Sequence, residues 1–307
     1  MMNFQRRLLL TLSGALLAGS VLAQPAAAVR VGSKIDTEGK LLGNMIALAL
    51  EANGIKVDNK SSLGNTKIMR GAITAGEIDI YPEYTGNGAF FFSDEANPAW
   101  KNAKAGFERV SALDLEKNKI VWLAAAPANN TWAIAVRKDV AAANKLKTLA
   151  DMGKWISAGG QFKLAASAEF AERSDALPAF QAAYGFRLKP DQLLTLAGGD
   201  TAVTIRAAAE KTSGVNAAMA YGTDGQVSAL GLVIMDDPKG VQPIYAPAPI
   251  IRAEVLAKHP KIKDVLANVF KQLDGPTLQA LNAKIQLEGQ DAKKVAGEFL
   301  RAKKLIK

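Results

Sequence analysis

The sequence predicts an α/β protein built as two open-sheet lobes. Three observations carry this. Short apolar runs of strand length alternate with amphipathic segments of helix length from residue 29 to about residue 240, the pattern of repeated β-α-β units. No internal repeat and no low-complexity linker interrupts the chain. The chain of 307 residues exceeds one average domain and suits two.

Taken in order, 29–35 (VRVGSKI) reads as a strand. Residues 37–54 read as an amphipathic helix, with Thr37 as candidate cap and Gly54 closing its end. Strand and loop follow at 55–65, a helix at 66–77 and a strand at 78–84. Residues 97–118 read as helical and 120–127 as a strand. A strand at 130–140 leads to a helix at 146–159 and a strand at 162–167. Helices at 175–186 and 201–212 surround strands at 215–222 and 232–238. From Pro260 to Lys307 the pattern is almost wholly helical.

The first 28 residues differ in kind. Arg6 and Arg7 precede an apolar run from Leu8 to about Ala23, then small residues. This is the pattern of a secretory signal peptide, residues 1–23, with cleavage after Ala23 or as late as Ala28. The run is short and rich in Gly and Ser, unlike a membrane span. The chain has no cysteine. That excludes disulfides, thiolate metal sites and lipid attachment at a cleavage-site Cys, so a soluble periplasmic protein is expected. The single histidine, His259, sits in AKHPKIK beside a proline, which leaves no imidazole for a catalytic triad. Removing Arg6 and Arg7 leaves 36 basic against 29 acidic residues, a net +7. The lysines are scattered rather than grouped with aromatic residues, which speaks against nucleic acid. No cofactor or metal is expected.

Aromatic residues make up 7% of the chain, so rings in similar settings stand out. Tyr84 (EYTG), Trp132 (NNTWAIAV), Tyr221 (MAYGTDG) and Tyr245 (PIYAPAP) each fall at a strand end or tight loop, flanked by small or polar residues. In open α/β sheets ligands sit beyond the carboxyl ends of strands. Electron-rich rings without a nucleophile suit a quaternary ammonium ion, which cannot donate hydrogen bonds and is held against π faces. A zwitterionic betaine would add a carboxylate, for which Lys34 and Arg173 are candidate partners. An enzyme reading rests on the carboxylates Asp79 and Glu83, or Asp36 and Glu38. No third catalytic group accompanies either pair. AGGDTAV (197–203) could cradle an anion at a helix N-terminus, but capping by Asp200 or Thr201 explains it as well.

The stretches VGSKIDTEGKLLGNMI, LGNTKIMRGAITAGEIDIYPEYTG, NTWAIAVRKDVA, YGTDG and YAPAPIIR resemble the substrate-binding proteins of osmoprotectant ABC importers, the glycine betaine, choline and proline betaine group. The likeness spans the mature chain and is closest to the YehZ/OsmF-like branch. It implies a two-lobed type II periplasmic binding fold that closes on its ligand. The implied lobes are residues 29–130 with 245–307, and residues 131–244. It places the family's lysine on Lys34, its cage aromatics on Tyr84, Trp132, Tyr221 and Tyr245, and its arginine on Arg173. Asn87, Asn130 and Trp132 depart from the family's usual residues, which bears on ligand identity. The implied partners are a small quaternary amine and an inner-membrane permease, with the protein a monomer. Two alternatives keep the fold: a different small-molecule ligand, or a sensor role without transport.

Overall fold

The computed structural model describes residues 27–196 and 198–307. The expected leader at 1–23 lies outside the described residues. Among the described residues the strands are β1 (Val29–Lys34), β2 (Val57–Gly64), β3 (Ile80–Tyr84), β4 (Ile120–Trp122) and β5 (Trp132–Arg137). They continue with β6 (Leu164–Ser167), β7 (Leu193–Leu196), β8 (Ala217–Tyr221), β9 (Leu232–Ile234) and β10 (Pro247–Arg252). The helices are α1 (Thr37–Ala52), α2 (Thr66–Thr74), α3 (Asn87–Phe91), α4 (Ala103–Asn118), α5 (Lys138–Ala143) and α6 (Leu149–Ser157). After them come α7 (Ala168–Glu172), α8 (Leu177–Tyr184), α9 (Thr201–Ala209), α10 (Ala253–Lys258), α11 (Ile262–Phe270), α12 (Gly275–Gln286) and α13 (Ala292–Ala302).

Two five-stranded sheets result. Sheet A has the order β2-β1-β3-β10-β4 and sheet B the order β7-β6-β8-β5-β9. Both are mixed. β1 runs parallel to β2 and β3, while β10 runs antiparallel to β3 and β4. β6 runs parallel to β7 and β8, while β5 runs antiparallel to β8 and β9. The α/β expectation holds, and each sheet gains an antiparallel strand where the chain enters it from the other sheet.

Local chemistry explains the elements that matter for the site. α1 starts at Asp36, whose side chain accepts from the Gly39 amide at 2.8 Å. The cap is therefore Asp36 rather than the expected Thr37, whose hydroxyl is free to donate to Asp200 at 3.2 Å. Leu41, Leu42, Met45, Ile46, Ala49 and Leu50 repeat at helical spacing and are fully buried against sheet A and helices α11, α12 and α13. Gly54, with φ +79°, releases the chain just past the helix.

Several elements differ from the expected ones: β7 lies in no expected element, the strand expected at 120–127 stops at Trp122, and of the helix expected at 97–118 the α-helix begins only at Ala103. The strand expected at 130–140 stops at Arg137 and turns into α5. β10 was not expected as a strand, because Pro247 and Pro249 argue against a central position. The prolines fit because β4 has already ended beside them. The loop amides of Leu123 and Ala126 donate to the Pro249 and Pro247 carbonyls at 2.9 and 2.8 Å, so no ladder donor is required from the prolines.

The chain crosses from sheet A to sheet B after β4 and returns after β9. The two crossovers are bonded to each other. The Asn130 amide donates to the Tyr245 carbonyl (2.9 Å), and the Tyr245 amide donates to Asn129 Oδ1 (2.8 Å). A third link is made by α12, which packs on α1 and also touches the turn after β8. Gln279 Nε2 donates to the Gly222 carbonyl at 3.0 Å and Gln286 Nε2 to Asp224 at 3.1 Å.

Gly225 is the tightest point of that link. A Cβ there would lie 2.2 Å from the Gln279 carbonyl oxygen and 2.8 Å from Ala283 Cβ. Gly225→Ala should therefore force α12 off the turn and lower stability by about 1–3 kcal/mol. Urea unfolding measures this, and an unchanged midpoint would contradict the contact.

Candidate functional site

Strand pairing brings the rings together. Tyr84 ends β3 and Tyr221 ends β8, at carboxyl ends where a ligand is expected. Trp132 begins β5, but β5 is antiparallel, so Trp132 pairs in register with Tyr221. Directly opposed residues on one face meet. Here the two rings stack with centroids 6.4 Å apart and planes 17° apart. Tyr245 lies two residues before β10, in which Pro247 pairs with Tyr84. Its ring lies 5.8 Å from that of Trp132.

These rings line one cavity between the two sheets, together with Lys34, Ile35, Asp36, Asn65, Thr66, Asn87, Asn130, Glu169 and Gly199. Its free volume is small, about 40 Å³. Seven of the eight residues singled out from the sequence line this cavity: Lys34, Tyr84, Asn87, Asn130, Trp132, Tyr221 and Tyr245.

Arg173 is placed differently. It does not line the cavity but lies behind the cage. Its guanidinium sits 4.5 Å from the Trp132 ring centroid and 4.1 Å from that of Phe90. Its fork is filled: Nε and Nη2 donate to Asp175 at 2.9 and 2.7 Å, and Nη1 to Glu169 and Asn87, both at 3.0 Å. Through Asn87 it ties the sheet-B side to the sheet-A side.

Lys34 is also engaged. Its Nζ lies 2.6 Å from Glu83 Oε1 and 4.8 Å from the Tyr84 ring centroid. Glu83 has no exposure to solvent. It accepts from Lys34, from Asn87 Nδ2 (2.7 Å), from the Tyr84 amide (2.7 Å) and from the Tyr81 hydroxyl (2.8 Å). Asp79 is bound separately by Arg30 and Arg252. The two carboxylates considered for acid/base work are thus both occupied as acceptors by different partners.

Sequence reasoning had not assigned Asn65, Thr66, Glu169 or Gly199 to the site. Asn65 and Thr66 lie inside the LGNTKIMRG stretch, where their role as cap and first residue of α2 masked them. Nothing in the sequence around Glu169 marks it. Asp36 and Glu38 had been weighed only as a catalytic pair. Glu38 lies just behind the cage and accepts from the Tyr84 hydroxyl at 2.9 Å and from Asn130 Nδ2 at 3.0 Å. Its burial pushes its carboxyl up to about 7, against hydrogen bonds that pull it down. Burial likewise raises Asp224 to about 6. Two further atoms are notable. Trp132 Nε1 and the Tyr245 hydroxyl are buried and have no hydrogen-bond partner among the described residues. A buried donor without a partner is costly, and these two belong to residues that line the cavity.

The comparisons with known proteins agree with this geometry. A family model, the substrate binding domain of ABC-type glycine betaine transport systems, matches residues 27–302. The chain belongs to this family. It is 64% identical, over 94% of both chains, to the glycine betaine-binding protein YehZ of Escherichia coli K12. A solved structure of apo YehZ from Escherichia coli superposes with a TM-score of 0.66, covering 91% of this chain and all of that one. The structure of a glycine betaine/carnitine/choline ABC transporter protein, 23% identical, superposes at 0.70, covering 90% and 99%. The fold is that of the type II periplasmic binding proteins, and the chain is a transport substrate-binding protein rather than a member of an enzyme class. Among the described residues no helix is long and apolar enough to cross a membrane.

Two outcomes are expected. Glu83→Ala leaves Lys34 buried without its carboxylate, and urea unfolding should show a loss of about 3–5 kcal/mol; a loss below ~1 kcal/mol would contradict the pairing. Glu38 is raised above its ordinary 4.5, so the folded state holds its proton more tightly. Its contribution to stability is full below the unfolded value and declines as pH rises toward 7. Between about pH 5 and pH 8 the stability of the wild type relative to Glu38→Gln should therefore fall, by up to about 3 kcal/mol. A pH-independent difference would rule out a raised Glu38.

Proposed function

We propose that this chain is a periplasmic receptor that closes two lobes on a quaternary ammonium osmolyte and delivers it to an inner-membrane ABC permease. The lobes are residues 29–130 with 245–307, and residues 131–244. The leader at 1–23 directs export, and the mature protein acts as a soluble monomer. The ligand class is glycine betaine and its close analogues such as choline.

One observation carries this reading: four aromatic rings from both sheets line a single cavity, to whose wall the acidic residues Asp36 and Glu169 also contribute. A trimethylammonium group has no hydrogen to donate. It gains from π faces, from nearby negative charge and from desolvation of its methyl groups. The unpartnered Trp132 Nε1 and Tyr245 hydroxyl supply donors for a ligand carboxylate, which favours a betaine over choline. Lobe closure is supported by the comparison with apo YehZ. At 64% identity the individual lobes should superpose closely, so a TM-score of only 0.66 fits a different angle between them. A ligand that touches both lobes favours the closed form by its differential affinity.

Intrinsic tryptophan fluorescence, titrated with glycine betaine, choline, proline betaine and carnitine, tests the reading. The wild type should give a saturable change with at least one of them. Trp132→Ala should weaken that ligand by at least about tenfold. No binding by calorimetry up to millimolar concentrations of every ligand would overturn the ligand class.

A further inference from the structure

Behind the cage lies a closed ring of hydrogen bonds in which Asn130, a residue of the cavity wall, is joined by three residues outside that wall. Glu38 Oε1 accepts from Asn130 Nδ2 at 3.0 Å. Asn130 Oδ1 accepts from the Thr223 hydroxyl at 2.8 Å. The Thr223 carbonyl accepts from Asn282 Nδ2 at 3.0 Å, and the same nitrogen donates to Glu38 Oε2 at 2.8 Å. The members come from α1, the first crossover, the turn after β8, and α12. All four are at most 6% exposed. Both acceptors facing Asn282 are oxygens, which fixes its amide orientation.

From these observations we infer that Glu38, Thr223 and Asn282 are positioning residues for ligand binding, locking the cage in its closed arrangement without touching the ligand. The inference rests on the receptor reading above. Three of the four ring members adjoin a cage residue, and Asn282 reaches the cage through Glu38. Glu38 accepts from the Tyr84 hydroxyl. Asn130 is two residues before Trp132. Thr223 is two residues after Tyr221, in the turn that Asp224 also holds by accepting from the Tyr221 amide at 2.7 Å. Thr223 belongs to the sheet-B side, whereas Glu38 and Asn282 belong to helices packed on the sheet-A side. If the lobes separate, the Thr223 bonds must break. The ring is thus formed only when the rings of both lobes face one cavity. Buried bonds of this kind contribute most when complete, because each deletion strands its partner.

The ring also explains a local choice of residue. An amide at position 130 can donate to Glu38 and accept from Thr223 at once. A carboxylate there would face Glu38 and add to the negative charge already supplied by Asp36.

The test compares Thr223→Val, which keeps the shape and removes the hydroxyl, with Thr223→Ser, which keeps it. The probe is glycine betaine, followed by calorimetry and stopped-flow tryptophan fluorescence. Thr223→Val should bind about tenfold more weakly, through faster dissociation with unchanged association, as expected for loss of a contact present only in the closed form. Thr223→Ser should restore wild-type dissociation. Glu38→Gln should speed dissociation similarly, and the double variant Glu38→Gln/Thr223→Val should be no worse than the weaker single, because both break one ring. If Thr223→Val fails to fold, Glu38→Gln alone decides by the same dissociation rate. Wild-type dissociation in the variants, additive losses, or a Thr223→Ser variant as weak as Thr223→Val would overturn the inference. A wild type that binds none of the osmolytes would instead remove the receptor reading and this inference with it.

Discussion

The floor of the cage depends on a carboxylate with no access to water. Glu83 is placed at the end of β3 and must collect enough donors to offset its desolvation. It does so from β1 (Lys34), from its own strand (Tyr81 and the Tyr84 amide) and from α3 (Asn87). Those donors fix the positions of Lys34, Tyr84 and Asn87, three residues that line the cavity. The sharp break in the chain after Tyr84 is what lets Asn87 turn back onto Glu83. A strand continuing straight would carry that amide away.

Arg173 plays the corresponding part on the sheet-B side. It fills its fork with Asp175, Glu169 and Asn87 and sits over the Trp132 ring. A planar guanidinium can pair with carboxylates at its edge while stacking on a ring, which an ammonium cannot. The two buried charge centres meet at Asn87, which donates to Glu83 and accepts from Arg173. The aromatic rings are thus held by polar groups set behind them, and two buried donors on residues that line the cavity, Trp132 Nε1 and the Tyr245 hydroxyl, have no partner among the described residues. A site held this way is preorganised, so less side-chain ordering remains to oppose binding.

Much of this was legible in the sequence, for physical reasons that differ by element. The α/β class follows from periodicity, and α1 from its apolar spacing. The cage rings stood out because aromatic residues are scarce and these four sit among small or polar neighbours. Their meeting in one cavity was readable only through family resemblance, since Trp132 and Tyr221 become neighbours by a strand pairing across 89 positions that no local pattern encodes. β10 was hidden by its prolines, whose missing donors face a place where the neighbouring strand has ended. The sequence offers Arg173 as a candidate partner for a ligand carboxylate, and the family resemblance places the carboxylate-binding arginine there. Asp175, two residues on, and Asn87, far off in sequence, fill its fork only in the folded chain. In the sequence Glu38 stands out only as one of a possible pair of acids with Asp36. Its hydrogen bonds come from residues 84, 130 and 282, contacts set by tertiary structure alone.

The central claim is that these rings enclose the cationic head of an osmolyte between two closed lobes. The most direct measurement is a crystal structure of the protein grown with glycine betaine. The account predicts the trimethylammonium nitrogen within about 6 Å of the ring centroids of Tyr84, Trp132, Tyr221 and Tyr245. It also predicts the carboxylate within hydrogen-bond reach of Trp132 Nε1 or the Tyr245 hydroxyl. Glycine betaine bound outside the cage, or a cage left empty at saturating ligand, would contradict it.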